Sequence, residues 1–207
     1  MNYEQGGIYH IYNQGNNRET VFFNIENYLF FLKKIKNHIK PHGSILAWCL
    51  MPNHFHLMVE IERVEITILI EDNNPSANQT YQKRTLNDSI GILLRSYTRA
   101  VNNQEKRTGS IFRKKTKSIC LNKINGIASN WFTLYGASMM NMLVHEDQYP
   151  KACFDYIHNN PVKAHLVGKP EDWEFSSYPD WIGMRPGKLI NKARAMELGF
   201  NSGLHLE

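Results

Sequence analysis

Ser44 to Met51 reads SILAWCLM, Pro52-Asn53 follows, and His54 to Glu62 reads HFHLMVEIE. The first run is short, apolar and unbroken, as a buried strand is. Pro-Asn is turn chemistry. The second run alternates, so neighbouring side chains face opposite sides of a sheet. Together they predict two strands joined by a turn. Upstream, Ile8 to Asn13 (IYHIYN) also alternates and is rich in aromatic and branched residues, which predicts another strand. The turn residues Asn13 to Asn17 follow it. From Asn24 the period becomes helical: Ile25, Tyr28, Leu29, Leu32, Ile35 and Ile39 recur on one face, with Lys33, Lys34 and Lys36 on the other. Pro41-His42-Gly43 ends that helix. A strand-helix-strand-strand opening predicts an α+β chain with a ferredoxin-like antiparallel sheet and helices on one face.

Downstream the pattern is less regular. Glu71 to Gln82 is polar, contains Asn73-Asn74-Pro75, and reads as a flexible loop. A helix is expected from about Thr85, with Leu86, Ile90, Leu93, Leu94, Tyr97 and Val101 as its apolar stripe. Ser118 to Leu121 suits a brief strand, and Asn125 to His145 suits one or two packed helices. Tyr149 to Asn160 has helical spacing, and Pro161 marks its end or a kink. Trp173, Phe175, Tyr178 and Trp181 are expected to pack back on the core. No internal repeat or low-complexity tract interrupts the chain.

Composition narrows the function classes. A chain of 207 residues with 42% hydrophobic content has enough apolar material for a core. Lys and Arg number 24 against 19 for Asp and Glu, a net charge of +5 that permits a nucleic-acid partner without requiring one. Cys49, Cys120 and Cys153 make neither a disulfide framework nor a paired-cysteine zinc site, so a reducing cytoplasm is the expectation. Met1 to Gly7 lacks the apolar core of a signal peptide, and no apolar run approaches the roughly 18 residues of a membrane helix.

Three places carry possible chemistry. His54 and His56 share a strand face while Phe55 points the other way, so both imidazoles reach one space where a divalent ion fits. Two hydrogen-bonded or surface histidines would give the same pattern. If residues 155–163 (DYIHNNPVK) are helical, Tyr156 and Asn160 lie one turn apart, a phenol beside an amide oxygen. The alternative is a buried tyrosine and a helix-ending asparagine. A phenol with a pKa of ~10 is a poor nucleophile unless a metal or base assists it. Residues 106–117 (KRTGSIFRKKTK) contain no acid. Lys106, Arg107, Arg113, Lys114, Lys115 and Lys117 suit phosphates, and the intervening Phe112 suits stacking on an unpaired base. A solvated basic face is the alternative.

Residues 48–59 (WCLMPNHFHLMV), in which two histidines flank a bulky apolar residue, resemble the signature of the HUH transposases. With residues 156–164 (YIHNNPVKA), the sequence is similar to the REP-associated tyrosine transposases and the wider IS-two-hundred-like group. Residues 7–17 (GIYHIYNQGNN), 109–113 (GSIFR) and 173–178 (WEFSSY) resemble further blocks of the family in the expected order. The resemblance covers residues 6–182, expected as the transposase domain, with 183–207 as a C-terminal tail. It implies a ferredoxin-like homodimer that cleaves and rejoins single-stranded or hairpin DNA through a 5′-phosphotyrosine. It implies Mg²⁺ or Mn²⁺ held by His54 and His56, with Tyr156 as the nucleophile and Asn160 at the place of a third ligand. The stretch between Leu121 and Tyr149 is longer than in typical relatives.

Two rival functions stand beside this one. A DNA-binding protein that had lost activity would not need His54, His56 and Tyr156 together. A metal-dependent phosphoesterase would need neither the basic stretch nor Tyr156. Tyr97 is the competing nucleophile, but its place on an apolar helical stripe favours packing. His10 and His158 are candidates for contacts behind the metal ligands or to DNA, and structural roles are commoner for such residues.

Overall fold

The computed structural model describes residues 1–70, 80–122 and 148–200, together with the backbone of 133–134 and 137–138. Its centre is a four-stranded antiparallel sheet in the order β2-β3-β1-β6, built from β1 (Ile8–Gln14), β2 (Gly43–Met51), β3 (His54–Ile61) and β6 (Lys117–Cys120). Helix α1 (Ile25–His38) connects β1 to β2, and helix α2 (Leu86–Gln104) precedes β6. This is the expected ferredoxin-like arrangement.

Local chemistry fixes the helix starts. The Asn24 side chain accepts from the Asn27 N–H, and Thr85 and Asp88 form a reciprocal capping box. The two helices cover one sheet face. Tyr9, Ile11, Trp48, Leu50, Phe55 and Leu57 meet Phe31, Ile35, Leu93 and Tyr97 there. The alternation in β3 thus sends Phe55 into this layer and leaves His54 and His56 on the other side. In β2 a bulge between Ile45 and Ala47 inserts one extra residue.

The opposite face is covered as well. Helix α3 (Tyr149–Lys163) lies over β2 and β3, and its Cys153, Phe154 and Ile157 pack with Cys49, Met51 and Met58. Pro161 does not end this helix, which runs two residues further. A proline so close to the C-terminus removes only one hydrogen bond of the ladder. The sheet is therefore enclosed between α1 with α2 and α3.

The loop expected over 71–82 begins differently. β4 (Glu65–Ile70) pairs with β5 (Thr80–Thr85), so Thr80 to Gln82 are strand, and residues 71–79 lie outside the described residues. The helices expected over 125–145 lie mostly outside them too. Within that stretch β7 (Thr133–Leu134) and β8 (Ala137–Ser138) pair as a short hairpin. The long 121–149 segment is likewise largely outside the described residues.

The late aromatics pack back as expected. Phe175 stacks on Tyr28 at 3.8 Å between ring centroids, and Trp181 is buried against Phe154. Residues 175–177 run along the free edge of β2: Leu50 N donates to Phe175 O, and Ser177 N donates to Trp48 O. That covers an otherwise open strand edge. Beyond α4 (Tyr178–Trp181), α5 (Lys192–Glu197) and Phe200 pack on the same layer as α3, so residues 190–200 also join the core. No helix among the described residues is long and apolar enough to cross a membrane.

Candidate active site

Helix α3 presents Cys153, Tyr156, Ile157 and Asn160 as one stripe, spaced i, i+3, i+4 and i+7. The first and third are apolar and hold the helix on β2. The polar members, Tyr156 at 8% exposure and Asn160 at 0%, are thereby brought over His54 and His56.

The hydrogen bonds define the tautomers. Asn53 Nδ2 donates to the Arg18 carbonyl at 3.2 Å, which turns Asn53 Oδ1 toward His54. His54 Nδ1 donates to that oxygen at 2.6 Å, so His54 Nε2 carries a lone pair. This lone pair faces Asn160 Oδ1 at 3.3 Å. Asn160 Nδ2 donates to His56 Nε2, also at 3.3 Å. His56 then holds its proton on Nδ1 and donates it to His10 Nε2 at 2.9 Å.

Two acceptors facing each other repel unless positive charge lies between them. A proton on His54 is disfavoured, because burial lowers its pKa to about 4. Burial also holds His56 well below the usual imidazole value, helped by its neighbours His54 and His10. A cation held by His54 Nε2 and Asn160 Oδ1 would remove the conflict with neutral ligands, and His56 Nε2 could join them once released from the Asn160 N–H. The amide turned over, with the His56 proton moved to Nε2 and His10 Nε2 donating to His56 Nδ1, would instead donate to His54 and accept from His56, closing the network without a cation. The orientation of the Asn160 amide, together with the His56 and His10 tautomers, thus separates a closed arrangement from one suited to a divalent ion. Among the described residues no group of three or more His, Cys, Asp or Glu could hold a metal, and the further oxygen facing His54 is that of an amide.

Tyr156 stands beside the pair. Its ring is edge-on to His56 with centroids 5.4 Å apart, and 6.1 Å from His10. Burial pushes its pKa up to about 12, against a hydrogen bond with the Asn160 side chain that lowers it. Lys163, two turns further along the helix, places Nζ 5.6 Å from the Tyr156 ring centroid. Tyr97 is on the other side of the sheet. It is fully buried among Phe22, Phe31 and Phe112, and its hydroxyl donates to the Val21 carbonyl at 2.7 Å.

The basic stretch is divided by the fold. Arg113 N donates to Gln14 O, which ties the loop to the end of β1, where Gln14 pairs with His54. Arg113, Lys114 and Lys115 are exposed, while Arg107 lies 3.3 Å from Glu19. Lys106 is exposed beyond the end of α2. Lys117 pairs in register with Tyr12, on the face of the histidines, with Nζ 6.0 Å from that ring. Phe112 does not offer a stacking surface: at 3% exposure it packs on Phe31, Phe55 and Tyr97. The Gly15–Phe112 bridge turns it inward against the helices.

His10, weighed from the sequence only as an outer contact, and Tyr12, which the sequence did not single out, both adjoin this site. They share a face of β1, and their rings stack at 4.6 Å between centroids. The signal was their i, i+2 spacing beside a strand carrying His54 and His56, but strand order is needed to read it. His158 turns away from the pair, to Ser177 Oγ at 2.8 Å, and serves the packing of α3.

No family profile and no curated protein matches the sequence. Among solved structures, one of a REP-associated tyrosine transposase bound to a REP hairpin is similar over 92% of each chain, with a TM-score of 0.56 and 17% sequence identity. At that identity the likeness is one of fold: the chain has the fold of a REP-associated tyrosine transposase.

Proposed function

We propose that this chain is a single-tyrosine transposase of the HUH type, which nicks and rejoins single-stranded or hairpin DNA. The observation that carries the reading is the convergence of His54, His56, Asn160 and Tyr156 in one space between β3 and α3. His54, His56 and Asn160 would hold Mg²⁺ or Mn²⁺, and a divalent ion there supplies Lewis-acid polarisation of a non-bridging phosphate oxygen. Asn53 keeps His54 in the tautomer with its lone pair on Nε2, and His10 Nε2, acting as acceptor, would do the same for His56. The Tyr156 oxygen attacks phosphorus, forming a phosphotyrosyl bond as the P–O3′ bond breaks. The phenol loses its proton and the departing 3′ oxygen gains one. Attack by a 3′-hydroxyl on the same phosphorus reverses the step and joins a new end. The basic residues of 106–117 hold the DNA, and the chain acts as a homodimer in the cytoplasm.

The test is Mn²⁺-dependent cleavage of single-stranded hairpin DNA by the wild type and by His54→Ala and His56→Ala. Each variant should keep its circular dichroism spectrum and lose cleavage. A folded double variant that cleaves as the wild type does would sink the assignment.

A further inference from the structure

A groove of about 1160 Å³ runs along the outer side of α2, closed on its far side by the 107–116 segment. Its lining brings Arg95 and Arg99, one turn apart on α2, to the same space as Arg107, Arg113, Lys114 and Lys115. These two sets come from separate parts of the sequence, and no carboxylate lines the groove. Among the described residues only Arg107 of the six has an ion pair, with Glu19, which does not line the groove. Six like charges gathered with few counter-charges raise the free energy of the bare protein, and a polyanion removes that cost.

Two further features define the ligand. Gly91 lies inside α2, where glycine disfavours the helix relative to alanine. A Cβ there would come within 2.9 Å of Arg95 Nη1, so the missing side chain lets the guanidinium lie back along the groove. The one aromatic in the lining, Phe112, is buried in the core at 3% exposure. Sites for single strands combine cations with exposed aromatics on which bases stack. Beside the aliphatic Met1, Ile90 and Leu94, the groove offers cations, hydroxyls and amides but no exposed aromatic ring, the chemistry of phosphate contact without base stacking.

We propose that this groove binds the phosphate backbone of duplex DNA, and that Arg95 and Arg99 are phosphate contacts in it. The proposal rests on the reading of the chain as a DNA transposase and assigns the paired stem of its substrate to this surface. The groove ends at the β6–β1 side of the sheet, on the face opposite the catalytic residues. Thr116 and Arg113 anchor to Asn13, and Gln14 pairs with His54. Strands β6, β1 and β3 are consecutive neighbours, so roughly 10 Å of sheet separates the loop from the histidines. A stem in the groove would deliver its unpaired end around the edge of the sheet to Tyr156.

The experiment measures fluorescence anisotropy of three labelled DNAs: a blunt hairpin, the same hairpin with a single-stranded tail, and a single strand of equal length. None needs to be cleaved, so failure of the groove and failure of the catalytic assignment are separate results. Loss of two phosphate contacts lowers the slope of log affinity against log salt by about 1.8, or roughly thirtyfold in affinity near 0.15 M salt. R95A/R99A should show this loss on both hairpins, keep its affinity for the single strand, and regain hairpin binding as R95K/R99K. Circular dichroism checks the helix, and Lys34→Ala/Lys36→Ala on α1 controls for general charge. Unchanged hairpin binding by R95A/R99A overturns the proposal, as does no binding of the blunt hairpin by wild type. An equal loss on the single strand overturns the duplex assignment.

Discussion

Replacing Tyr97 with Phe removes one oxygen from the interior and leaves the ring in place. That oxygen is fully buried and donates to the Val21 carbonyl at 2.7 Å. The residue Val21 is itself inaccessible to water, so its carbonyl would lose this partner without gaining a solvent one. Leaving a buried acceptor unsatisfied costs about 1–3 kcal/mol. The surrounding rings Phe22, Phe31 and Phe112 lose no contact area, so the cost stays near that of the single bond. For a chain of this size about 2 kcal/mol lowers Tm by roughly 4–8 °C. Tyr156→Phe removes an oxygen from a residue at 8% exposure beside Asn160, and should cost about 1 kcal/mol or less. The two variants should therefore separate stability from chemistry. Y97F melts lower and still forms the covalent DNA adduct; Y156F melts near the wild type and forms none. Calorimetry and denaturing gels of trapped DNA read both. A Y97F protein as stable as the wild type, or one that is folded and forms no adduct, would refute the reasoning.

Neutralising Arg113, Lys114 and Lys115 together should flatten the salt dependence of DNA binding by about 2.7 in the log–log slope if each meets one phosphate; an unchanged slope in a filter-binding titration would count against it. His42 makes an acid-stability test away from the active site. Burial is the largest cause lowering its pKa from 6.5, and it bonds Arg63 O and Ser89 Oγ. Because the folded value lies below the unfolded one, the folded state binds fewer protons as pH falls through 6.5. Its contribution is full above that pH and is lost below it, by at most about 1.4 kcal/mol per pH unit. Urea midpoints between about pH 7 and pH 5 should fall less steeply for His42→Gln than for the wild type, and equal slopes would contradict the assignment.

What the sequence made legible follows from which residues carry one-sided patterns. The β1-α1-β2-β3 order and α2 could be read because their apolar residues face a core at a fixed period, as Tyr28, Ile35, Leu93 and Val101 do. The β4–β5 hairpin could not, because Thr80 to Lys83 are exposed on both faces and show no apolar alternation. The shared face of His54 and His56 was legible from spacing. The approach of Asn160 needed the packing of α3 through Cys153 and Ile157, which no local pattern encodes. Phe112 misled because an aromatic inside a basic run looks accessible, and only the bridge to Gly15 turns it inward. Arg95 and Arg99 escaped notice because arginines on the polar face of a helix are ordinary until a distant loop closes a groove over them.

The account depends most on Tyr156 as the residue that takes the DNA. Wild-type protein incubated with Mn²⁺ and a 5′-labelled and 3′-labelled pair of single-stranded hairpin substrates should retain one labelled end covalently. Proteolysis and mass spectrometry of that species should place a 5′-phosphotyrosyl nucleotide on the α3 peptide at Tyr156. A phosphotyrosyl bond mapped to Tyr12, Tyr97 or any other tyrosine, or cleavage that leaves no covalent species when the reaction is trapped, would contradict it.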